Sequence, residues 1–218
     1  MAASFKHLSN VGDRTKCSVY GWIRKAEQKL HLSSIPLLVQ SLCILYFRED
    51  EIFEIIPDDV IPSENHRTIT KINEDGWDNN TYGIEEIPSE SSLVCQWDLR
   101  IIRCDGEGVG FGISSGRLPN GNVVEDDMAG HNYLYWCEGA VYRGTYWREY
   151  GNTTYGAGDV VSMRLNLKRS GTIRFFVNGV DQGIAFIRLR KGPSIKYRLQ
   201  CSLETIGNSM EVIGFRYL

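Results

Sequence analysis

The sequence has no window approaching the ~20 consecutive apolar residues that a membrane-spanning helix needs, so a helical span is not expected. It also lacks any block of lysine or arginine. Its 24 basic and 27 acidic residues are spread along the chain for a formal net charge of −3, whereas a nucleic-acid binder needs a basic face to neutralise phosphates. Neither membrane nor nucleic acid is therefore expected as a partner. None of the six cysteines (Cys17, Cys43, Cys95, Cys104, Cys137 and Cys201) belongs to a C-x-x-C pair, which removes the close ligand spacing of zinc sites and of RING-type ligases. Several sit in apolar runs such as Ser41-Leu42-Cys43-Ile44-Leu45, where a free thiol behaves as a small hydrophobe. The opening Met-Ala-Ala-Ser-Phe-Lys-His lacks the apolar stretch of a secretory signal, so reduced, buried thiols in a cytoplasmic protein are the expectation. The four histidines, at 7, 31, 66 and 131, show no metal-ligand pairing. No cofactor and no metal are expected.

What is present is ordinary for a globular chain: 42% apolar and 23% charged residues in 218. A chain of that length buries on the order of 70% of the surface its unfolded form exposes and needs no covalent staples. Its character changes twice. In residues 1–50 the spacing predicts a helical hairpin. Val19, Trp22, Ile23, Ala26 and Leu30 recur every three or four residues, and Ile35, Leu38, Val39, Leu42 and Tyr46 do the same. Ser34 stands where an N-cap is wanted, and Pro36 falls in the first turn, where its missing N–H costs nothing. The apolar seam of this hairpin either packs within the protein or docks a second partner. Residues 51–90 read as an irregular connection, with strands expected near Glu51–Ile56 and Arg67–Lys71, because Pro57, Pro62, Asn73, Gly76, Gly83 and Pro88 punctuate it.

From residue 91 to 218 the chain becomes short β-patterned runs with turn residues between them. Strands are expected over 93–103, 109–114, 133–137, 141–144, 160–167, 172–177, 184–189, 197–203 and 210–217. Asn178-Gly179 is a strong two-residue hairpin signal, since both positions tolerate positive φ. Lys168-Arg169-Ser170-Gly171 is a second turn. Gly108, Gly110 and Gly112 alternate along one strand and share a face, where another element can approach closely. Runs at this spacing without intervening helices indicate an antiparallel β-sandwich.

The stretch Gly158-Asp159-Val-Val-Ser-Met-Arg-Leu, then Ser170-Gly-Thr-Ile-Arg-Phe175-Phe-Val-Asn178-Gly-Val-Asp-Gln-Gly183-Ile-Ala-Phe186, is similar to the signature of the SPRY domain. Trp97-Asp-Leu-Arg-Ile resembles its early tryptophan strand, Gly108-Val-Gly-Phe-Gly112 its glycine-rich strand, and Met210-Glu-Val-Ile-Gly-Phe-Arg-Tyr its last strand. The likeness covers about residues 90–218 and implies a concanavalin-like jelly roll that acts as a binding module and has no enzymatic activity. It implies recognition of a protein or peptide through loops at one edge of the sandwich, in the manner of an adaptor or scaffold. That edge would comprise the 117–131 loop with Arg117, Asn120, Asn122 and His131, the turn at Gly207-Asn208, and the loop before residue 90. Where relatives that bind Asn-rich peptides carry an aromatic, this chain has Gly207-Asn208, so no ligand motif carries over.

The residues add a candidate of their own. Thr145-Tyr146-Trp147-Arg148-Glu149-Tyr150-Gly-Asn-Thr-Thr154 reads as a loop, and Trp, Tyr and Arg are the types that anchor binding hot spots. Trp147 either faces a partner or folds inward to cap the sandwich. Other readings have less behind them. Gly112-Ile-Ser114-Ser-Gly116 matches a nucleophile elbow, but the following Arg117-Leu-Pro-Asn-Gly-Asn cannot form the helix that motif requires. Glu125-Asp126-Asp127 lacks the alternating ligands of a calcium loop. Carbohydrate binding remains an alternative, because sandwich folds also host lectins.

Overall fold

The structure is a computed structural model. It describes residues 52–55, 58–64, 66–73, 80–83, 85–106, 108–115 and 131–218, all within the compact unit Arg48–Leu218. The helical hairpin expected over residues 1–50 lies outside the described residues.

Among the described residues the regular structure is all antiparallel β, in two sheets. In chain order the strands are β1 Phe53–Ile55, β2 Val60–Pro62, β3 Thr68–Lys71, β4 Asn80–Gly83, β5 Ile87–Pro88, β6 Val94–Arg103, β7 Val109–Ser114, β8 Asn132–Trp136, β9 Ala140–Arg143, β10 Tyr146–Glu149, β11 Val160–Asn166, β12 Thr172–Val177, β13 Val180–Ile187, β14 Lys196–Leu203 and β15 Ser209–Tyr217. The first sheet runs β1-β4-β14-β7-β8-β9-β10, with β5 also against β14; the second runs β13-β12-β11-β6-β15-β3-β2.

Alternation along each strand builds the core. In β12, Ile173, Phe175 and Val177 are buried while Thr172, Arg174 and Phe176 are only half-buried, as the two-residue period of a strand requires. Facing them from the first sheet, Phe111 of β7 meets Phe175 edge to face at 5.3 Å, and Tyr135 of β8 lies 5.0 Å from the same ring. Aromatic pairs of this geometry contribute about 0.5–1.5 kcal/mol beyond their burial. Trp97 of the early strand packs on Phe215 of the last at 4.9 Å.

The Asn178-Gly179 turn behaves as its residues dictate. Asn178 and Gly179 have φ of 50° and 80°, and they join Val177 to its partner Val180. The glycines of β7 admit the close approach their spacing implies. A Cβ on Gly110 would stand 2.0 Å from the Trp136 ring, and one on Gly112 would stand 1.9 Å from the Tyr133 carbonyl oxygen.

The sandwich begins well before residue 90. The segment read as a connection contributes β1 to β5, with β4 and β5 paired to β14 and β3 paired to β15. Phe53, Val60, Ile69 and Ile87 are part of the core. A buried ion pair also anchors this segment: Lys71 Nζ lies 3.0 Å from Asp59 Oδ2, with side chains 1% and 5% exposed.

Candidate functional site

Four segments meet at one end of the sandwich. β7 stops at Ser114 and β8 begins at Asn132, and the Ser115 N–H donates to the His131 carbonyl at 2.8 Å. The β9–β10 hairpin turns through Gly144 and Thr145, where Asn132 Oδ1 accepts from the Gly144 N–H at 2.6 Å. The chain leaving β13 passes through Arg188 and Arg190, and the Tyr197 hydroxyl at the start of β14 donates to the Arg190 carbonyl at 2.6 Å. Beneath them lies Tyr133, fully buried, with its ring 5.2 Å from Phe186 and 6.3 Å from Tyr197.

Among the described residues this end is cationic. The Arg143 guanidinium sits over the Tyr133 ring at 5.1 Å, and Arg190 Nη1 lies 2.8 Å from His131 Nδ1. Burial, and after it the neighbouring Tyr133, hold the Tyr197 phenol above its ordinary range, while the charges of Arg190 and Arg143 act in the opposite sense. Both guanidiniums are therefore within electrostatic reach of one hydroxyl. The described ion pairs engage Asp59, Glu86, Asp98, Asp105, Asp181 and Glu211. Arg143, Arg188 and Arg190 take part in none of them.

Tyr146 to Glu149, expected as a loop, is instead the edge strand β10, paired to β9. Trp147 does not fold inward: it is 59% exposed, and Tyr146 is 62% exposed. Trp147 stands opposite Tyr142, whose ring lies 5.9 Å from Trp136. An aromatic row thus crosses the outer face of the first sheet and ends in solvent at Trp147.

The other two residues of that group are internal fasteners. Arg148 Nη2 donates to the Ala185 carbonyl at 2.6 Å, which ties the edge of one sheet to the edge of the other. Tyr150 is buried; its hydroxyl donates to the Gly183 carbonyl at 2.6 Å and accepts from the Phe175 N–H at 3.3 Å. Their described hydrogen bonds are made within the fold.

Gly207 and Asn208 are not part of the same site. β7 and β14 are antiparallel, pairing Ser114 with Arg198 and Val109 with Leu203, so the turn after β14 lies at the far end from His131. Five residues of strand separate the two ends, about 17 Å at ~3.4 Å per residue. Asn208 is fully buried, and its amide is spent on the fold. Its Oδ1 accepts from the Asp105 N–H at 2.6 Å, and its Nδ2 donates to the carbonyls of Asp105 and Gly108 at 3.0 and 2.8 Å. Gly207 holds φ of 83°, the left-handed region that favours glycine. Arg117, Asn120 and Asn122 lie outside the described residues. The structure adds Arg143, Arg190 and Ile187 (58% exposed), which sequence reasoning passed over because the grouping comes from tertiary pairing.

This architecture is a SPRY-like β-sandwich. Solved structures bear that out: the SPRY domain of human HERC1 is similar at a TM-score of 0.54 and 18% identity, over 73% of this chain and 96% of that one. A human SPRY domain is similar at 0.55 and 14%, over 71% and 94%, and the TRIM65 PSpry domain at 0.52 and 12%, over 84% and 98%. No family model matches the sequence, and no curated protein matches it. At these identities the likeness defines the fold.

Proposed function

We propose that this protein is a cytoplasmic, non-enzymatic interaction module that recognises a protein or peptide at the His131 end of the sandwich and along β10. The observation that carries the reading is the pair Tyr146 and Trp147, large aromatics left mostly exposed on an edge strand where Arg148 and Tyr150 fix the backbone from behind. An exposed aromatic on a braced strand offers large contact area at low entropic cost, which is what a hot spot needs. Any adaptor role depends on residues 1–50 recruiting a second partner.

The test is selection from a displayed random peptide library with the full chain, wild type against Tyr146→Ala plus Trp147→Ala. Peptides enriched by the wild type and lost by a variant with unchanged melting support the reading. Equal enrichment by both, or none by the wild type, rejects it.

A further inference from the structure

Resting on that reading, we infer that the ligand segment is anionic, its carboxylates or a phosphoryl group held between Arg143 and Arg190 at the His131 end of the sandwich.

The chain is acidic overall, and the ion pairs described among its residues pair Arg100, Arg103, Arg174, Arg198 and Arg216 with carboxylates. The exceptions that gather in one place are Arg143 and Arg190, with Arg188 two residues away, and all three are exposed. Among the described residues no carboxylate pairs with them, and like charges held together repel one another unless something neutralises them. Arg143 is also held in position, its guanidinium stacked over the buried Tyr133 ring. Stacking leaves the edge of the guanidinium fork, where its donors lie, to meet a carboxylate or phosphate. Arg190 is oriented through Nη1 by His131, and its backbone is fixed by Tyr197.

A second observation comes from beneath the cluster. The Tyr133 hydroxyl is buried beside Tyr197 but makes no hydrogen bond of acceptable geometry. A buried hydroxyl without a partner is costly, and this one belongs to the ring that Arg143 covers. Exposed Tyr146 and Ile187 flank the cations, so the surface offers charge at its centre and apolar contact beside it. That pattern fits an acidic peptide carrying one or two apolar side chains.

The same library distinguishes this inference from the broader reading. Peptides selected by the wild-type full chain are expected to be enriched in Asp and Glu over the input. Arg143→Glu plus Arg190→Glu should weaken the best of them at least about tenfold, as loss of close charge pairs does. Arg143→Lys plus Arg190→Lys should weaken them less, and raised salt should weaken wild-type binding. Both sites are exposed, so circular dichroism and melting should not change. Competition by inorganic phosphate would assign the phosphoryl group, and its absence the carboxylate. Peptides lost with Tyr146→Ala plus Trp147→Ala but neither acidic nor sensitive to charge reversal would overturn the anion inference and leave the recognition reading standing. No selection at all would overturn both.

Discussion

Asn178 Nδ2 donates to Asp159 Oδ1 at 2.8 Å, so the two turns that carry the SPRY-like signature are bonded to each other. Asn178 Oδ1 accepts from the Val160 N–H at 2.9 Å, and Asp159 Oδ2 accepts from the Gly156 N–H at 2.8 Å. The Gly-Asp and Asn-Gly elements are one polar clasp over the ends of β11 and β12. Asp159→Ala and Asn178→Gly should each cost about 1 kcal/mol, the usual net loss of a hydrogen bond. Glycine is the right replacement at 178 because it keeps the positive φ. Denaturant melts of both single variants and the double should show a double loss smaller than the sum. Strict additivity would mean the clasp is not cooperative.

Breaking the buried Lys71–Asp59 pair should be far more damaging. Asp59→Ala leaves an ammonium without its carboxylate in a buried site, a change that costs about 3–5 kcal/mol. Lys71→Met together with Asp59→Leu removes both charges and should recover most of that loss. Chemical denaturation of the three proteins checks the order.

Tyr150 and Trp147 should separate stability from recognition. Tyr150→Phe removes the hydrogen bond to Gly183 and should lower stability by about 1 kcal/mol. Trp147→Ala touches an exposed ring and should stay within about 0.5 kcal/mol of wild type while reducing peptide capture. The reverse pattern would move the site off β10.

Acid stability should depend on Asp98. Burial pushes its carboxyl up, but hydrogen bonds with Ser162, Gln96 and Arg216 outweigh this and hold it below the ordinary value of 3.8. Its contribution is therefore present above the unfolded value and lost as pH falls through the lower folded one. Asp98→Asn should be less stable than wild type at neutral pH, and the gap should narrow as pH drops below 3.8. A gap that stays constant with pH would show that the charge of Asp98 does not matter.

Cys104 and Cys137 are placed to oxidise. A Cβ on Gly108 would stand 2.2 Å from Cys137 Sγ and 3.7 Å from Cys104 Sγ, so both sulfurs border the same point. Burial, then the hydrogen bond with Cys137, pushes the Cys104 thiol up to about 12, so attack on oxidised glutathione is slow and begins from one thiolate of the pair. The other thiol then displaces glutathione from the mixed disulfide. The two thiols lose two protons and two electrons, and one oxidised glutathione becomes two reduced. Protection of both from alkylation, reversed by dithiothreitol, is the expected result; unprotected thiols after prolonged exposure would refute the pairing.

Much of the second sheet was legible in the sequence. β12 announces itself through Thr172-Ile-Arg-Phe-Phe-Val, and Asn178-Gly179 locates its hairpin. β10 was not, because an edge strand with Tyr146, Trp147 and Glu149 all exposed has no core face and hence no two-residue apolar period. β2, β4 and β5 are two to four residues long amid Pro, Asn and Gly, and the β14 partner of β4 and β5 lies far along the chain. Of the candidate site, Trp147 could be read from its type and neighbours. Asn208 was misleading for the opposite reason: a turn asparagine looks available until the carbonyls that consume its amide are known.

The distance between those partners governs how the molecule must be assembled. Ser202 Oγ hydrogen-bonds to Asn80 Oδ1 across 122 residues of chain, and the Tyr217 hydroxyl reaches Glu85 across 132. On the ribosome, β3 has only β2 and β4 only β1 to pair with until β14 and β15 emerge. Contacts of that span are slow to form because a long loop must close first. During that wait the early strands present open edges to every other chain nearby, the condition under which nascent β proteins aggregate or require chaperones.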